Sequence, residues 1–427
     1  MTRWCALAFG ASWLLTFASE AAPPGELTLA EACSLAVARH PRIAASGWDV
    51  RAQEAGVAAA GKRPNPELSI DVENVAGTSD FRGLEGAETT VALSHTFELG
   101  GKRSNRVEVA RGELGLAERD AEFMRAAVLA EVAQAYVVVL HEQERVALVD
   151  SLIGIAQHVL EAVSRRVTAG GVSPVEERRA RVALDVVRLE REGGVRALTA
   201  ARERLAATWA ADGSSFEFAR ELPDAIELPP LERLLSRVED SPRLARFDGE
   251  RTRALAEGAL ATSVGTPDLA LSGGVRRIHE SDDTTWLVGL SVPLPIFDRN
   301  RDAAEAARHR ARRIEDERRA TAIELRSALR DAHGRAALAQ QEWDTLHDQI
   351  LPEAETAFTE SREAYERGRL RLTDVLDAER AVFELRLRSV DVRAAARAVR
   401  FEIDTLLGVP PGDEFIQQED GRDEADD

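Results

Sequence analysis

The chain is poor in the residues that carry most site chemistry. Of its 427 residues, two are cysteine and two are methionine. Cys5 falls inside an N-terminal secretory pattern, so Cys33 is left alone and no internal disulfide can form. Met1 and Met124 cannot build a thioether relay for copper. The eight histidines are scattered, His309 and its like lying on helical stretches, and no pair of them has metal-ligand spacing with a nearby Cys or carboxylate cluster in a strand-loop context. There is no Gly-Lys-Ser/Thr phosphate loop and no Gly-x-Ser-x-Gly elbow, so neither a nucleotide-driven motor nor a serine hydrolase is encoded, and a periplasmic enzyme lacks its polar constellation. Positive charge is outnumbered: 55 lysines and arginines against 74 acids leave a net charge of −19, which argues against a nucleic-acid partner. No cofactor is implied.

Long apolar runs are missing as well. Residues 1–21 read as a signal peptide, with Arg3 as the positive end, Trp4 to Phe17 as the apolar stretch and Ser19-Glu20-Ala21 as the cleavage site. Beyond it no run of ~18 apolar residues is expected, so insertion into a membrane has to use strands. Cys33 follows Leu29-Ala30-Glu31-Ala32, where Glu31 spoils a lipidation box, and is read as a residue of a buried helix. Residues 410–427 form an acidic tail that composition assigns to disorder.

What is present is a pattern stated twice. Residues 22–212 open with a helix over Leu27 to Ala60, capped by Thr28 with Glu31 three residues on. A hairpin follows over 67–99: Leu68, Ile70 and Val72, then Val91, Leu93, His95, Phe97 and Leu99, alternate with polar residues, the signature of strands with one apolar face. A helical hairpin spans 102–210. Its first arm carries Val132, Val139, Val146, Ile153, Leu160 and Val167 at heptad spacing, a coiled-coil seam. Gly154 and Gly193-Gly194 are its candidate irregularities. After a linker over 213–230, residues 231–409 repeat the order: a helix, a hairpin over 268–297 and a helical hairpin over 300–408. Pro242 and Pro267 match Pro41 and Pro66 at an offset of 201. Ala322, Leu329, Ala336, Trp343, Ile350, Ala357 and Ala364 restate the seam, and Pro352 has to kink that helix.

The turns of the two helical hairpins align at an offset of about 198 residues. Gly170 matches Gly368, Val172 matches Leu370 and Glu176 matches Asp374. Asp374 and Asp377, three residues apart, share one face of the last helix.

This order resembles the TolC-like outer membrane efflux proteins across nearly all of Leu27 to Gly408. The carriers are Leu27-Thr28-Leu29-Ala30-Glu31-Ala32 with His40-Pro41, the repeat itself, Tyr365-x-x-Gly368 and Thr373-Asp374-Val375-Leu376-Asp377. Arg63-Pro64-Asn65-Pro66-Glu67-Leu68 and Glu98-Leu99-Gly100-Gly101-Lys102-Arg103 look like the cobalt–zinc–cadmium resistance branch. The resemblance implies an α+β membrane protein. Three chains would give four strands each to one 12-stranded β-barrel in the outer membrane, continued by a helical coiled-coil tunnel across the periplasm. An open sheet edge in lipid is prohibitive, which agrees with closure between chains. The implied function is a passive exit duct, serving a periplasmic adaptor and an inner-membrane pump that supplies the energy. The cargo would be divalent heavy-metal cations, or alternatively drugs or other small molecules. An exported coiled-coil adhesin is the reading from another class, and it does not require the duplicated strand hairpins.

By the same resemblance, the turns at Gly170 and Gly368 form the periplasmic entrance. Asp374 and Asp377 line it as a constriction, a ring of carboxylates selective for cations. Tyr365 and Glu176 match positions that hold the entrance closed. An arginine expected two residues after the glycine is Leu370 here, facing Val175 as its partner position, so that link is apolar.

Overall fold

A computed structural model describes residues 25–75, 78, 83–84, 86–213, 216–222 and 228–409. The signal peptide (1–21) and the acidic tail (410–427) lie outside the described residues, as does part of the linker.

Strand β1 (Glu26–Leu27) precedes helix α1 (Leu29–Arg39). Thr28 caps α1: its Oγ1 accepts from the Glu31 N–H (3.2 Å) and its own N–H donates to the Glu31 carboxylate (2.9 Å). Helix α2 (Pro41–Ala60) is separate. The single helix expected over Leu27 to Ala60 is therefore divided. Pro41 forces His40 out of helical geometry (ψ 123°), and the His40 ring then accepts from the Arg42 N–H to start α2. Two strands follow, β2 (Glu67–Glu73) and β3 (Glu88–Phe97), then the long helix α3 (Lys102–Thr168) and its return α4 (Pro174–Ala207). The expected linker is not all loop. Within it β4 (Phe218–Ala219) pairs in parallel with β1, and the Tyr136 hydroxyl lies 2.8 Å from both the Leu27 and Arg220 carbonyls, sharing its one proton between them across the pair.

The second half runs α5 (Leu231–Ser236), a 3-10 turn (Val238–Asp240), α6 (Pro242–Val264), β5 (Leu269–Ile278), β6 (Asp283–Ser291), α7 (Arg301–Thr345), α8 (Leu351–Glu366) and α9 (Leu372–Leu407). Its opening helix divides before Pro242 as the first did before Pro41.

β2, β3, β5 and β6 form one antiparallel sheet in that order. Directly opposed residues share a face. Ile70, Val91, Val275 and Trp286 make one rung across all four strands; Leu68, Leu93, Gly273 and Val288 make the next. Trp286 and Val288 are 84% and 85% exposed, so this apolar face has no cover within the chain. The outer edges of β2 and β6 are unpaired among the described strands.

α3 is 67 residues long, about 100 Å at 1.5 Å per residue. Neither Gly154 nor Gly193-Gly194 interrupts its hairpin. Gly194 instead allows close approach, since a Cβ there would stand 3.2 Å from Val146 Cγ2. One window of α3 reaches a mean hydropathy of 1.6, apolar enough to cross a membrane by length and composition, contrary to the absence expected from sequence; 56% of it is buried within the chain, where Val128, Val132, Tyr136, Val139 and Leu140 build the main core.

The second seam needs a correction. Ala322, Leu329 and Ala336 are buried, but Ile350 and Ala357 are exposed. Between α7 and α8, Leu346–Ile350 makes a π turn in which the Leu351 N–H donates to Leu346 O, five residues back. Pro352 has no N–H to continue the ordinary ladder. The wider turn takes in one extra residue and advances the register by one. Phe358 and Tyr365 therefore occupy the buried positions assigned to Ala357 and Ala364.

Candidate functional site at the hairpin tips

The two helical hairpins end side by side. Gly170 and Gly368 adopt left-handed geometry (φ 71° and 76°), which ends α3 and α8 and turns the chain at little steric cost. Beneath the turns a cluster of Val159, Val163, Ala180, Phe358, Leu372 and Val375 packs around Tyr365, which is 3% exposed. The tips are thus seated on a core of their own.

Tyr365 joins the hairpins. Its hydroxyl donates to Glu176 Oε2 at 3.0 Å, the pair anticipated from the family resemblance. Burial first, then the neighbouring Glu176 carboxylate, push the phenol up to about 12. A residue missed in the sequence completes the arrangement. Arg166, in the last turn of α3, donates to the Tyr365 carbonyl and lies over its ring, 4.3 Å from the centroid. Leu370 and Val175, the expected apolar link, are 39% and 54% exposed. A guanidinium from the first hairpin, that of Arg166, thus contacts the second at Tyr365 rather than at position 370. Arg166 lies four residues before Gly170, where a cation near a helix C-terminus invites the usual reading as a dipole partner, so its place gave no separate signal.

Asp374 sits in the first turn of α9. Its carboxylate accepts from the Arg371 N–H (3.1 Å) and from the Arg371 guanidinium (3.2 Å). That N–H, followed by the guanidinium, holds Asp374 below the usual carboxylate range. Within one chain the neighbouring cation therefore favours ionisation, opposite to the rise that crowded carboxylates cause. Asp377 is exposed. Glu379 differs from both: about 140° around the helix from Asp374, it faces a cavity of about 490 Å³ bounded by Leu152, Val182, Val186, Leu376 and Phe383, and burial pushes it up to about 7. α9 thus presents Asp374, held below the usual carboxylate range, at one face and Glu379, raised by burial, at another. Among the described residues no group of three or more His, Cys, Asp or Glu side chains is placed to hold a metal ion.

The sequence profile of the family described as outer membrane efflux protein matches residues 32–211 and 237–409. The cobalt-zinc-cadmium resistance protein CzcC of Cupriavidus metallidurans is 34% identical over 400 residues, covering 93% of this chain and 94% of that protein. The nickel-cobalt-cadmium resistance protein NccC of Alcaligenes xylosoxydans xylosoxydans is 25% identical over 316 residues, 74% and 71% of the two chains. Among solved structures, that of CusC, described with its transmembrane channel formation, superposes with a TM-score of 0.74 at 17% identity, covering 89% of this chain and 92% of that one.

Proposed function

Because the chain belongs to the outer membrane efflux protein family, we propose that it is the passive exit duct of a tripartite efflux system for divalent heavy-metal cations. It resides in the outer membrane with its helices extending into the periplasm. Three copies close a 12-stranded barrel. An inner-membrane pump and a periplasmic adaptor deliver the cargo to the hairpin tips.

The observation that carries this reading is the four-stranded sheet. Apolar rungs cross all four strands on one uncovered face, both sheet edges are unpaired among the described residues, and each strand hairpin leads directly into long helices. In lipid such edges have to be paired, and pairing β6 of one chain with β2 of the next satisfies them. The metal assignment is supported by the metal-resistance relatives and by the acids at the tip, where Asp374 and Asp377 form the constriction. Tyr365, Glu176 and Arg166 hold it narrow, and Gly170 and Gly368 shape the entrance.

Deleting the gene and restoring it tests the reading. Growth in zinc, cobalt and cadmium should fall in the deletion strain and recover on complementation. Sensitivity confined to a drug panel would reassign the cargo to small organic molecules. Unchanged growth with every compound would overturn the efflux reading.

A further inference from the structure

The face of the sheet opposite the apolar rungs carries a charged cluster near the ends of the strands remote from the helices. Arg276 of β5 is its centre. Its Nε donates to Thr90 Oγ1 (2.9 Å), its Nη1 to Glu88 Oε2 (2.7 Å) and its Nη2 to Glu73 Oε2 (3.0 Å). One guanidinium therefore ties β5 to β3 and, across it, to β2. Glu88 also accepts from Asn74 Nδ2 (3.3 Å), and Asp71 opposes Thr90 on the same face. Thr90 is 7% exposed and the Arg276 side chain 30%, so the cluster is partly sheltered from water.

In a closed barrel this polar face is the lumen. Glu73 and Glu88 end their strands beside the loop that joins them, so the cluster belongs to the outer mouth rather than to the helical entrance. Arginine stays charged at any working pH and its planar fork fixes both carboxylates in place. We propose that Arg276 sets the ion selectivity of the outer mouth: by pinning and partly neutralising Glu73 and Glu88, it limits the hold of the exit on small inorganic cations. The duct then attracts cations at the acidic tips and releases them past a weaker field, as conduction requires. This rests on the channel reading above.

Two carboxylates face one guanidinium in each chain, so removing the guanidinium doubles the net negative charge of the trio. The test is the reversal potential of the purified full-length protein in planar bilayers under a potassium chloride gradient. Arg276→Gln should raise the potassium-over-chloride permeability ratio by about twofold or more at low salt, with the effect shrinking as salt screens the lumen. Arg276→Lys should stay near wild type. Glu73→Gln with Glu88→Gln should shift the ratio the opposite way. A conducting Arg276→Gln channel with an unchanged ratio would overturn the inference and leave the channel reading standing, whereas a wild-type protein without channels would overturn both. If Arg276→Gln fails to assemble, the double glutamine variant decides, and an unaltered ratio there sinks the proposal. A purely structural role for Arg276 would change trimer yield without moving the ratio in conducting channels.

Discussion

Tyr365 is held from two sides, by Glu176 at its hydroxyl and by Arg166 at its ring and carbonyl. The first bond is worth about 1 kcal/mol and the ring contact about 0.5–1 kcal/mol. Tyr365→Phe removes only the first, while Arg166→Gln removes the stacking and the charged donor. Both variants should still form trimers, because each leaves the apolar packing of the Tyr365 ring in the tip core in place. Both should show larger single-channel conductance than wild type, Arg166→Gln the more so. Wild-type conductance in both would mean that these contacts do not hold the tip. The Tyr365–Glu176 pair was legible through the family resemblance, which matches both residues to positions that hold the entrance closed. Arg166 was not, because the repeat places Ala364 at its matching position and drew attention to Leu370 instead.

At the scale of elements, the strands make the firmest statement. Leu290 stands in a rung with Leu271 and His95, on the apolar face, and Ser291 points the other way, opposite Ala270. Leu290→Arg should cost about 2–4 kcal/mol if it lies near the bilayer midplane. Ser291→Arg should be milder. Trimer yield from detergent-extracted membranes compares them, and equal yields would mean the faces are misassigned. Strand faces were readable because a period of two leaves no freedom once one face is apolar. The helical seam was readable only as far as Trp343. Pro352 announced a disruption, but the sequence did not say how it would be resolved. A kink would have kept the heptad count, whereas the π turn advances it by one residue and so brings Tyr365 into the tip core.

For the whole molecule, the proposed constriction is a ring of α9 acids to which each of three chains would contribute. Asp374 is partly compensated by Arg371, while Asp377 is exposed at the same end of the helix. Asp374→Asn with Asp377→Asn should weaken cation selectivity and block by cobalt complexes while the trimer still forms. Asp377→Asn alone should account for more of the loss than Asp374→Asn alone. Because its folded-state value is depressed, Asp374 keeps its charge as pH falls and loses it only below the ordinary carboxylate range, so acidifying from pH 7 to about 5 should leave its share of the selectivity in place. Single-channel recordings decide this. Unchanged selectivity and block in the assembled double variant would put these aspartates off the pore axis.

The sequence by itself determined the long helices, the four strands and their faces, and the two tip turns. Each is written in a local rule: heptads over α3, alternation over β2, β3, β5 and β6, and glycine at positive φ at 170 and 368. It also carried the family resemblance on short motifs. Only the tertiary structure decided what meets across chain distance. It put β3 beside β5 so that apolar rungs and the Arg276 cluster form at all, paired β1 with β4 inside an apparent linker, and set Arg166 on Tyr365. Such contacts depend on how separate elements pack, and no periodicity within either element encodes the partner it will find.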